Sequence, residues 1–306
     1  MQLFSSLDNT HTDGVWLTIG SFDGVHRGHQ EIIRRLAAGA HAHAVPAVVL
    51  TFYPHPAVVL RGSIGPFYLS SPNERAETIG GLGVDIVILQ RFDRQLADTS
   101  AREFIMKLKE RLGLRHLLVG HDFTLGRGRE GDIPTLKRLG EEFGFEIEVH
   151  QPVLLDGEVI SSSQIRSALT AGNVERAQQL LGRAYRLTGE VVPGDGRGRM
   201  IGIPTANLKT WSEQLLPSAG VYACQAKIRE KVFRAATNIG VRPTFDGASS
   251  FLHVEAHLLD FQEDLYGQKV HLDFLTRLRG EQKFPNVEAL VVQIQEDIAR
   301  TRQLVT

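Results

Sequence analysis

The 306-residue sequence holds a single cysteine, Cys224, which excludes an intrachain disulfide and a cysteine-built zinc site. A lone thiol fits a reducing compartment, so the cytoplasm is the expected location. Charge of one sign is not in excess either, since 34 Lys and Arg stand against 35 Asp and Glu. No global positive field exists to hold DNA or RNA, and any anion site must be local. No apolar run approaches the roughly 18 residues that a membrane span needs, and residues 1–15 lack a basic cluster followed by an apolar stretch. Neither a signal peptide nor a membrane helix is expected. The absence of a Gly-Lys dipeptide excludes a Walker A loop. No internal repeat or low-complexity tract is visible.

What is present fits a soluble globular chain: 42% apolar and 23% charged residues. With roughly 100–200 residues to a domain, two domains are expected. From Val15 to about His150, short β-branched runs at 15–19, 47–52, 84–89, 116–119 and 145–149 alternate with helical patterns, which predicts a parallel sheet covered by helices. Ile32, Ile33, Leu36, Ala37 and Ala40 form one helical stripe. Ser71-Pro72 with Glu74, and Ser100 with Glu103, carry capping-box spacing. Beyond Arg183, glycine and proline punctuation and period-two runs predict an antiparallel barrel or sandwich. In 251–259, Leu252, Val254, Ala256 and Leu258 share one face, and His253, Glu255 and His257 the other. A last helix is expected over 287–304, with Val287, Leu290, Val291, Ile294 and Ile298 as its apolar stripe. The boundary is expected near 182–187, giving domains 1–183 and 184–306.

The most informative segment is Gly20-Ser21-Phe22-Asp23-Gly24-Val25-His26-Arg27-Gly28-His29, between an expected strand and an expected helix. A helix start offers unpaired N–H donors and positive dipole potential to phosphate, and Gly28 allows close backbone approach. His26 and His29, three apart, share a face once the helix has begun. Protonated or donor imidazoles there would stabilise charge building on an α-phosphate. Without that setting the pair would read as surface histidines beside a turn. A second constellation, Ile160-Ser161-Ser162-Ser163-Gln164-Ile165-Arg166, reads equally as an anion site or as a serine cap with a solvated Arg. His41 and His43 are expected to face solvent.

In the second half, residues 191–207 form a glycine loop with Gly196, Gly198, Arg199 and Gly202, ending in Pro204-Thr205-Ala206-Asn207. Glycines let backbone donors approach phosphate. Thr205 and Asn207 are hard oxygen donors that suit a nucleotide-bound magnesium ion. Glu255 could take a proton from an attacking hydroxyl, although alone it reads as a solvated strand carboxylate.

Several stretches of the first half resemble the bacterial bifunctional riboflavin kinase/FMN adenylyltransferases. They are Phe22-Asp23-Gly24-Val25-His26-x-Gly28-His29, Thr51-Phe52-x-Pro54-His55-Pro56, Val119-Gly120-x-Asp122-Phe123 and the 160–166 segment. Gly198-Arg199-x-x-Gly202-x-Pro204-Thr205-Ala206-Asn207, Gly220-Val221-Tyr222, Asn238-Ile239-Gly240-x-Arg242-Pro243-Thr244-Phe245 and Glu255-x-His257-Leu258-Leu259-Asp260-Phe261 extend the resemblance through the second half.

The resemblance implies an α/β, Rossmann-like nucleotidyltransferase domain with a parallel sheet, then a small antiparallel β-barrel riboflavin kinase domain with a C-terminal helix. It implies riboflavin, FMN, FAD and ATP as partners, with Mg2+ as cofactor. His26, His29 and Arg166 would act in adenylyl transfer, with Gly20, Phe22, Asp23, Gly24, Gly28, Ser162 and Ser163 at ATP. His55, Asp122 and Phe123 would lie on the flavin side. In the second half Gly196, Gly198, Arg199 and Gly202 would meet ATP, Thr205 and Asn207 would hold Mg-ATP, and Glu255 would be the base. Arg279 and Phe284 are candidate flavin neighbours, and a monomer or weak homo-oligomer is expected.

Two other classes compete. Gly126-x-Gly128-x-x-Gly131 matches the glycine spacing of a dinucleotide fold and would suggest an oxidoreductase. Its first glycine lies several residues past the strand, however, and Arg127 and Arg129 follow. A flavin-binding regulator without catalysis would dispense with the phosphate-handling groups, and all of these are present.

Overall fold

Strands that read as near-continuous apolar runs can be buried only if helices cover both sheet faces. The first of two units, Met1–Gly65 with Ser71–Ser161, is built this way. The computed structural model describes residues 1–62, 65–243 and 250–305. Thr244 and Phe245 of the Asn238 motif lie outside the described residues, as does the Arg242 side chain.

The first unit opens with β1 (Gln2–Phe4), β2 (Val15–Ile19), α1 (Arg27–Ala42), β3 (Ala47–Tyr53), α2 (Pro56–Arg61) and α3 (Pro72–Gly80). It continues through β4 (Ile86–Arg91), α4 (Arg94–Ala97), α5 (Ala101–Leu112), β5 (Leu114–Gly120), α6 (Ile133–Phe143) and β6 (Glu146–His150), closing on a hairpin of β7 (Leu154–Leu155) and β8 (Glu158–Val159). The six-stranded sheet has the order β1-β4-β3-β2-β5-β6, with every neighbour parallel. From β2 the chain builds through β3 to β4 on one side, then switches to β5 and β6 on the other. A switch of this kind leaves a ligand crevice at the carboxyl ends of the strands on either side of it, here β2 and β5.

Alternation within β3 divides the core. Val48 and Leu50 pack with Phe104, Ile105 and Leu108 of α5 and Leu136 of α6. Val49 faces the opposite layer with Ile33 and Leu36 of α1 and Ile79 of α3. Ile32, Ile33, Leu36, Ala37 and Ala40 are the buried residues of α1. Both capping boxes form, at Ser71–Glu74 and Ser100–Glu103. The Gly126–Gly131 segment is a 3-10 turn around Gly128, bridged Leu125 to Gly131, and it is not the strand-to-helix turn of a dinucleotide fold. Strand β1 was not expected. It has three residues with no buried face, so no period shows in the sequence.

The second unit joins Pro66–Ser70 to Ser162–Thr306. Its elements are α7 (Ser162–Thr170), α8 (Val174–Leu181), β9 (Tyr185–Val192), α9 (Arg197–Met200), β10 (Ala206–Thr210), β11 (Gly220–Ile228), β12 (Lys231–Pro243), β13 (Ser250–Leu258), β14 (Lys269–Arg279) and α10 (Val287–Leu304). The strands close an antiparallel barrel in the order β10-β13-β12-β11-β14-β9, and β9 pairs with β10. Of the two architectures the sequence allowed, the barrel is formed. Its interior holds Leu187, Tyr222, Cys224 and Phe274, all essentially without exposure. Burial pushes the Cys224 thiol far up, which leaves it a packing residue. Helix α8 packs on β9 and β14, so the contacts group residues 162–181 with the barrel although the period-two pattern begins only after 183.

Candidate active sites

Between β2 and α1 the chain makes a tight buried turn. Phe22 and Val25 take left-handed φ of 47° and 42°, and the Val25 N–H donates to the Phe22 carbonyl at 3.0 Å. A β-branched residue there is strained, and burial of Phe22 and Val25 holds it in place. The turn delivers His26 as the N-cap of α1, where its Nδ1 accepts the His29 backbone N–H at 3.3 Å. An accepting Nδ1 carries no proton, so the ring is the Nε2–H tautomer.

His29 stacks on His26 with ring centroids 3.5 Å apart and meets Phe22 edge-on. A Cβ on Gly28 would stand 3.2 Å from the His26 ring, so this glycine makes room for the cap as well as for a ligand. Burial drives the His29 pKa well below its ordinary value, and the adjacent His26 ring and the Arg75 guanidinium push it the same way. The Nδ1 of His29 is sealed from solvent with no hydrogen-bond partner among the described residues. His29 is therefore a neutral imidazole, which decides between the protonated and donor forms that the sequence allowed. Gly20, Gly24 and the buried Asp23 complete the turn, with the Gly20 N–H donating to Leu50 at 3.1 Å.

Arg75 ties this loop to the next, and no feature singled out in the sequence included it. Its guanidinium, fully buried, donates to the Ser21 carbonyl at 2.7 Å and the Phe52 carbonyl at 2.8 Å. The Thr51 hydroxyl also donates to Ser21, at 2.9 Å. The available signal was spacing: Arg75 stands four residues before buried Ile79, on the covered stripe of α3. His55 caps α2, its Nδ1 accepting from Ala57 at 3.0 Å beyond the carboxyl end of β3. Asp122 is exposed after β5, and Phe123 is half-buried against the core. The His26 loop and Asp122 thus follow the two strands that flank the switch point.

In the second unit, Ser162 and Ser163 occupy the first turn of α7. Arg166 lies over the Phe67 ring at 3.9 Å and its Nε donates to the Phe67 carbonyl at 2.9 Å. Phe67 was not legible as a partner, because it is 99 residues away in the chain.

The barrel carries a cavity of about 650 Å3 lined by Gly194, Gly196, Gly198, Arg199, Thr205 and Asn207 among others. Close approach explains two of the glycines. A Cβ on Gly194 would fall 2.1 Å from the Asn207 amide, and one on Gly198 would fall 2.3 Å from the Ile203 carbonyl. The loop therefore folds directly onto the Pro204–Asn207 strand entry, with Gly202 beyond it at φ 77°. Thr205 Oγ1 and the Asn207 carboxamide face this cradle, and two neutral hard oxygens suit a magnesium ion that takes its other ligands from phosphate and water. Glu255 of β13 pairs in register with Asn207 of β10 and with Asn238 of β12. Directly paired residues have Cβ atoms roughly 5 Å apart, so a carboxylate stands beside the cation donors. His257 holds the strand entry from the same face, with Nδ1 2.8 Å from the Pro204 carbonyl. Arg279 and Phe284 lie together, 5.7 Å from guanidinium to ring, while the guanidinium forks onto Asp297 of α10 at 2.8–3.2 Å.

A switch-point crevice with paired imidazoles at a helix start, and a barrel whose glycine loop closes on hydroxyl and amide donors beside a carboxylate, define a transferase that works on nucleotide phosphates. The family model described as FAD synthetase matches residues 8–164, and that described as riboflavin kinase matches 181–305. The bifunctional riboflavin kinase/FMN adenylyltransferase of Pseudomonas fluorescens is 41% identical over 99% of this chain and 98% of its own. The protein of that name from Escherichia coli K12 is 38% identical over 97% and 95%. A Streptococcus pneumoniae crystal structure titled a macrolide-efflux protein superposes with a TM-score of 0.88, at 32% identity and 98% coverage of each chain. In this chain, among the described residues, no helix is long and apolar enough to cross a membrane. The chain belongs to the bifunctional riboflavin kinase/FMN adenylyltransferase family.

Proposed function

We infer that this chain makes both flavin cofactors. The C-terminal half transfers the γ-phosphate of ATP to riboflavin, giving FMN and ADP. The N-terminal half transfers AMP from a second ATP to FMN, giving FAD and pyrophosphate. We divide the activities at residues 1–183 and 184–306.

The observation that carries the phosphorylation reading is the register of Asn207 against Glu255 beside the glycine cradle. Glu255 takes the proton from the riboflavin hydroxyl as its oxygen attacks the γ-phosphorus. Gly196, Gly198, Arg199 and Gly202 receive phosphate oxygens. Thr205 and Asn207 would hold Mg2+, which when bound neutralises charge on the phosphates. Arg279 and Phe284 border the flavin.

Adenylyl transfer requires no protein nucleophile, since the terminal phosphate of FMN is already ionised and attacks the α-phosphorus of ATP. Alignment and charge stabilisation remain for the protein. The α1 N–H groups and the His26 and His29 donors receive phosphate oxygens, with Gly20, Phe22, Asp23, Gly24 and Gly28 shaping the loop around ATP. Ser162, Ser163 and Arg166 keep the ATP role that the family resemblance implies, and His55, Asp122 and Phe123 meet the flavin. The lone cysteine supports a cytoplasmic enzyme and the balanced charge argues against nucleic acid as a partner; a monomer or weak homo-oligomer with no membrane partner completes the reading.

The test is to incubate the full chain with riboflavin, ATP and Mg2+ and separate the flavins over time. FMN appearing first and FAD after it is the expected result. Riboflavin that stays unmodified while supplied FMN is also left unchanged would overturn both assignments.

A further inference from the structure

We propose that His257 is a positioning residue of the Mg-ATP site, fixing the peptide through which Thr205 enters β10 so that its hydroxyl is aimed at the cation. The proposal rests on the reading of Thr205 and Asn207 as the cation donors. Strand β10 begins at Ala206, which pairs with Ala256 of β13, and the register continues through Asn207 and Glu255. Thr205 therefore stands one residue outside the ladder, and Pro204 before it has no N–H with which to extend the pairing. A side chain extends it instead. His257 Nδ1 lies 2.8 Å from the Pro204 carbonyl oxygen. A carbonyl only accepts, so the ring nitrogen is the donor.

Both ends of this contact are held. On its other side β13 pairs with β12, where His257 stands opposite Ala236 and Leu258 opposite Ala235, so the backbone that carries the imidazole is fixed by a ladder. On the loop side, the Ile203 N–H donates to the Gly198 carbonyl at 2.8 Å. The Pro204 carbonyl and the Thr205 N–H belong to one planar peptide, so a donor on that oxygen sets the plane from which Thr205 starts. Thr205 is thus bracketed by the His257 contact before it and the Ala206–Ala256 pair after it. Its Oγ1 lies 3.4 Å from where a Cβ on Gly198 would stand, at the glycine cradle. Without the imidazole, the Pro204 carbonyl loses its donor and the peptide is free to turn between the glycine loop and the first ladder pair.

The test titrates ADP into the full chain by calorimetry, once with Mg2+ and once with EDTA. His257→Leu keeps the bulk of the side chain and removes the donor. It should weaken binding at one nucleotide site about fivefold with Mg2+, the contribution of one hydrogen bond, and leave binding with EDTA unchanged. KM for Mg-ATP in FMN formation should rise by the same factor with kcat little altered, while conversion of supplied FMN to FAD stays normal. His257→Asn should restore the parent values, because its Nδ2 stands as many bonds from the backbone as the imidazole Nδ1. His257→Gln, whose donor lies one bond further out, should resemble His257→Leu, and it decides instead if the leucine variant unfolds. Parent-like Mg2+-dependent binding in the Leu and Gln variants overturns the proposal. Equal weakening with Mg2+ and with EDTA also overturns it, since that is a general loosening of the loop, as does an asparagine variant that fails to restore binding. Thr205→Val separates this from the cation reading: Mg2+-dependent binding that survives there removes Thr205 as a donor, whereas its loss there with a normal His257→Leu removes only the positioning role.

Discussion

Arg75 is an ion without exposed surface, kept in place by the two loop carbonyls that it bridges. Removing it takes a donor from the Phe52 carbonyl, at a cost of about 1–3 kcal/mol, while the Ser21 carbonyl keeps the Thr51 hydroxyl. Arg75→Met should therefore lower the unfolding free energy in urea by about 1–3 kcal/mol. Arg75→Lys should not restore it, because an ammonium cannot reproduce a planar fork onto two acceptors. His29 gives a pH dependence of fixed sign. Its folded-state pKa lies well below the value of about 6.5 for a free histidine. Below 6.5 the unfolded chain binds a proton that the folded chain refuses, so this contribution to stability is complete above 6.5 and is lost as pH falls. Unfolding free energies measured from pH 7.5 down to 5.5 should drop more steeply for the parent chain than for His29→Gln. Parallel slopes would mean that His29 titrates normally. The sequence placed both histidines on one face. It could not show that one is a cap and the other neutral, since burial comes from Phe22, Arg75 and the stacking of the rings.

Among the elements, those announced by local chemistry were legible. Both capping boxes, the stripe of α1 and the alternation of β13 follow from side chains within one or two turns of each other. The last helix shows where such reading stops. Its bounds agree with the expectation, yet the apolar stripe is only half-buried and Val287 is 54% exposed, while the buried positions are Asp297 and Thr301. Helix α10 docks through charge: Asp297 takes the guanidinium of Arg279 in a fork on the barrel side, and that partner lies 18 residues away on β14. Hydrophobic periodicity cannot report such a contact. Breaking one partner of a buried pair costs about 3–5 kcal/mol, so Asp297→Ala should lower stability strongly in thermal or urea unfolding. Val292→Ala, at a residue 58% exposed on the same helix, should change it by less than about 0.5 kcal/mol. Equal effects would return the docking of α10 to its apolar stripe.

For the molecule as a whole, the division into a parallel sheet and a closed barrel was written in the change of period after Arg183, while the packing of α8 on the barrel was not. That contact joins α8 to β14, a strand some 90 residues further on, and no local pattern encodes it. The same division makes the two chemistries separable. His29 belongs to the crevice of the sheet and Glu255 to the barrel wall, and each reaction begins from its own ATP. His29→Ala should cut FAD formation about a hundredfold or more, within the range for a lost acid–base or donor group, while FMN accumulates from riboflavin at the parent rate. Glu255→Gln should do the reverse, leaving riboflavin untouched and converting supplied FMN to FAD. If FMN passes from one site to the other through solution, the two variants mixed in equal amounts should make FAD from riboflavin again, after a lag that shortens as protein concentration rises. A mixture that stays blocked although each variant keeps its remaining activity would show that FMN does not pass through solution.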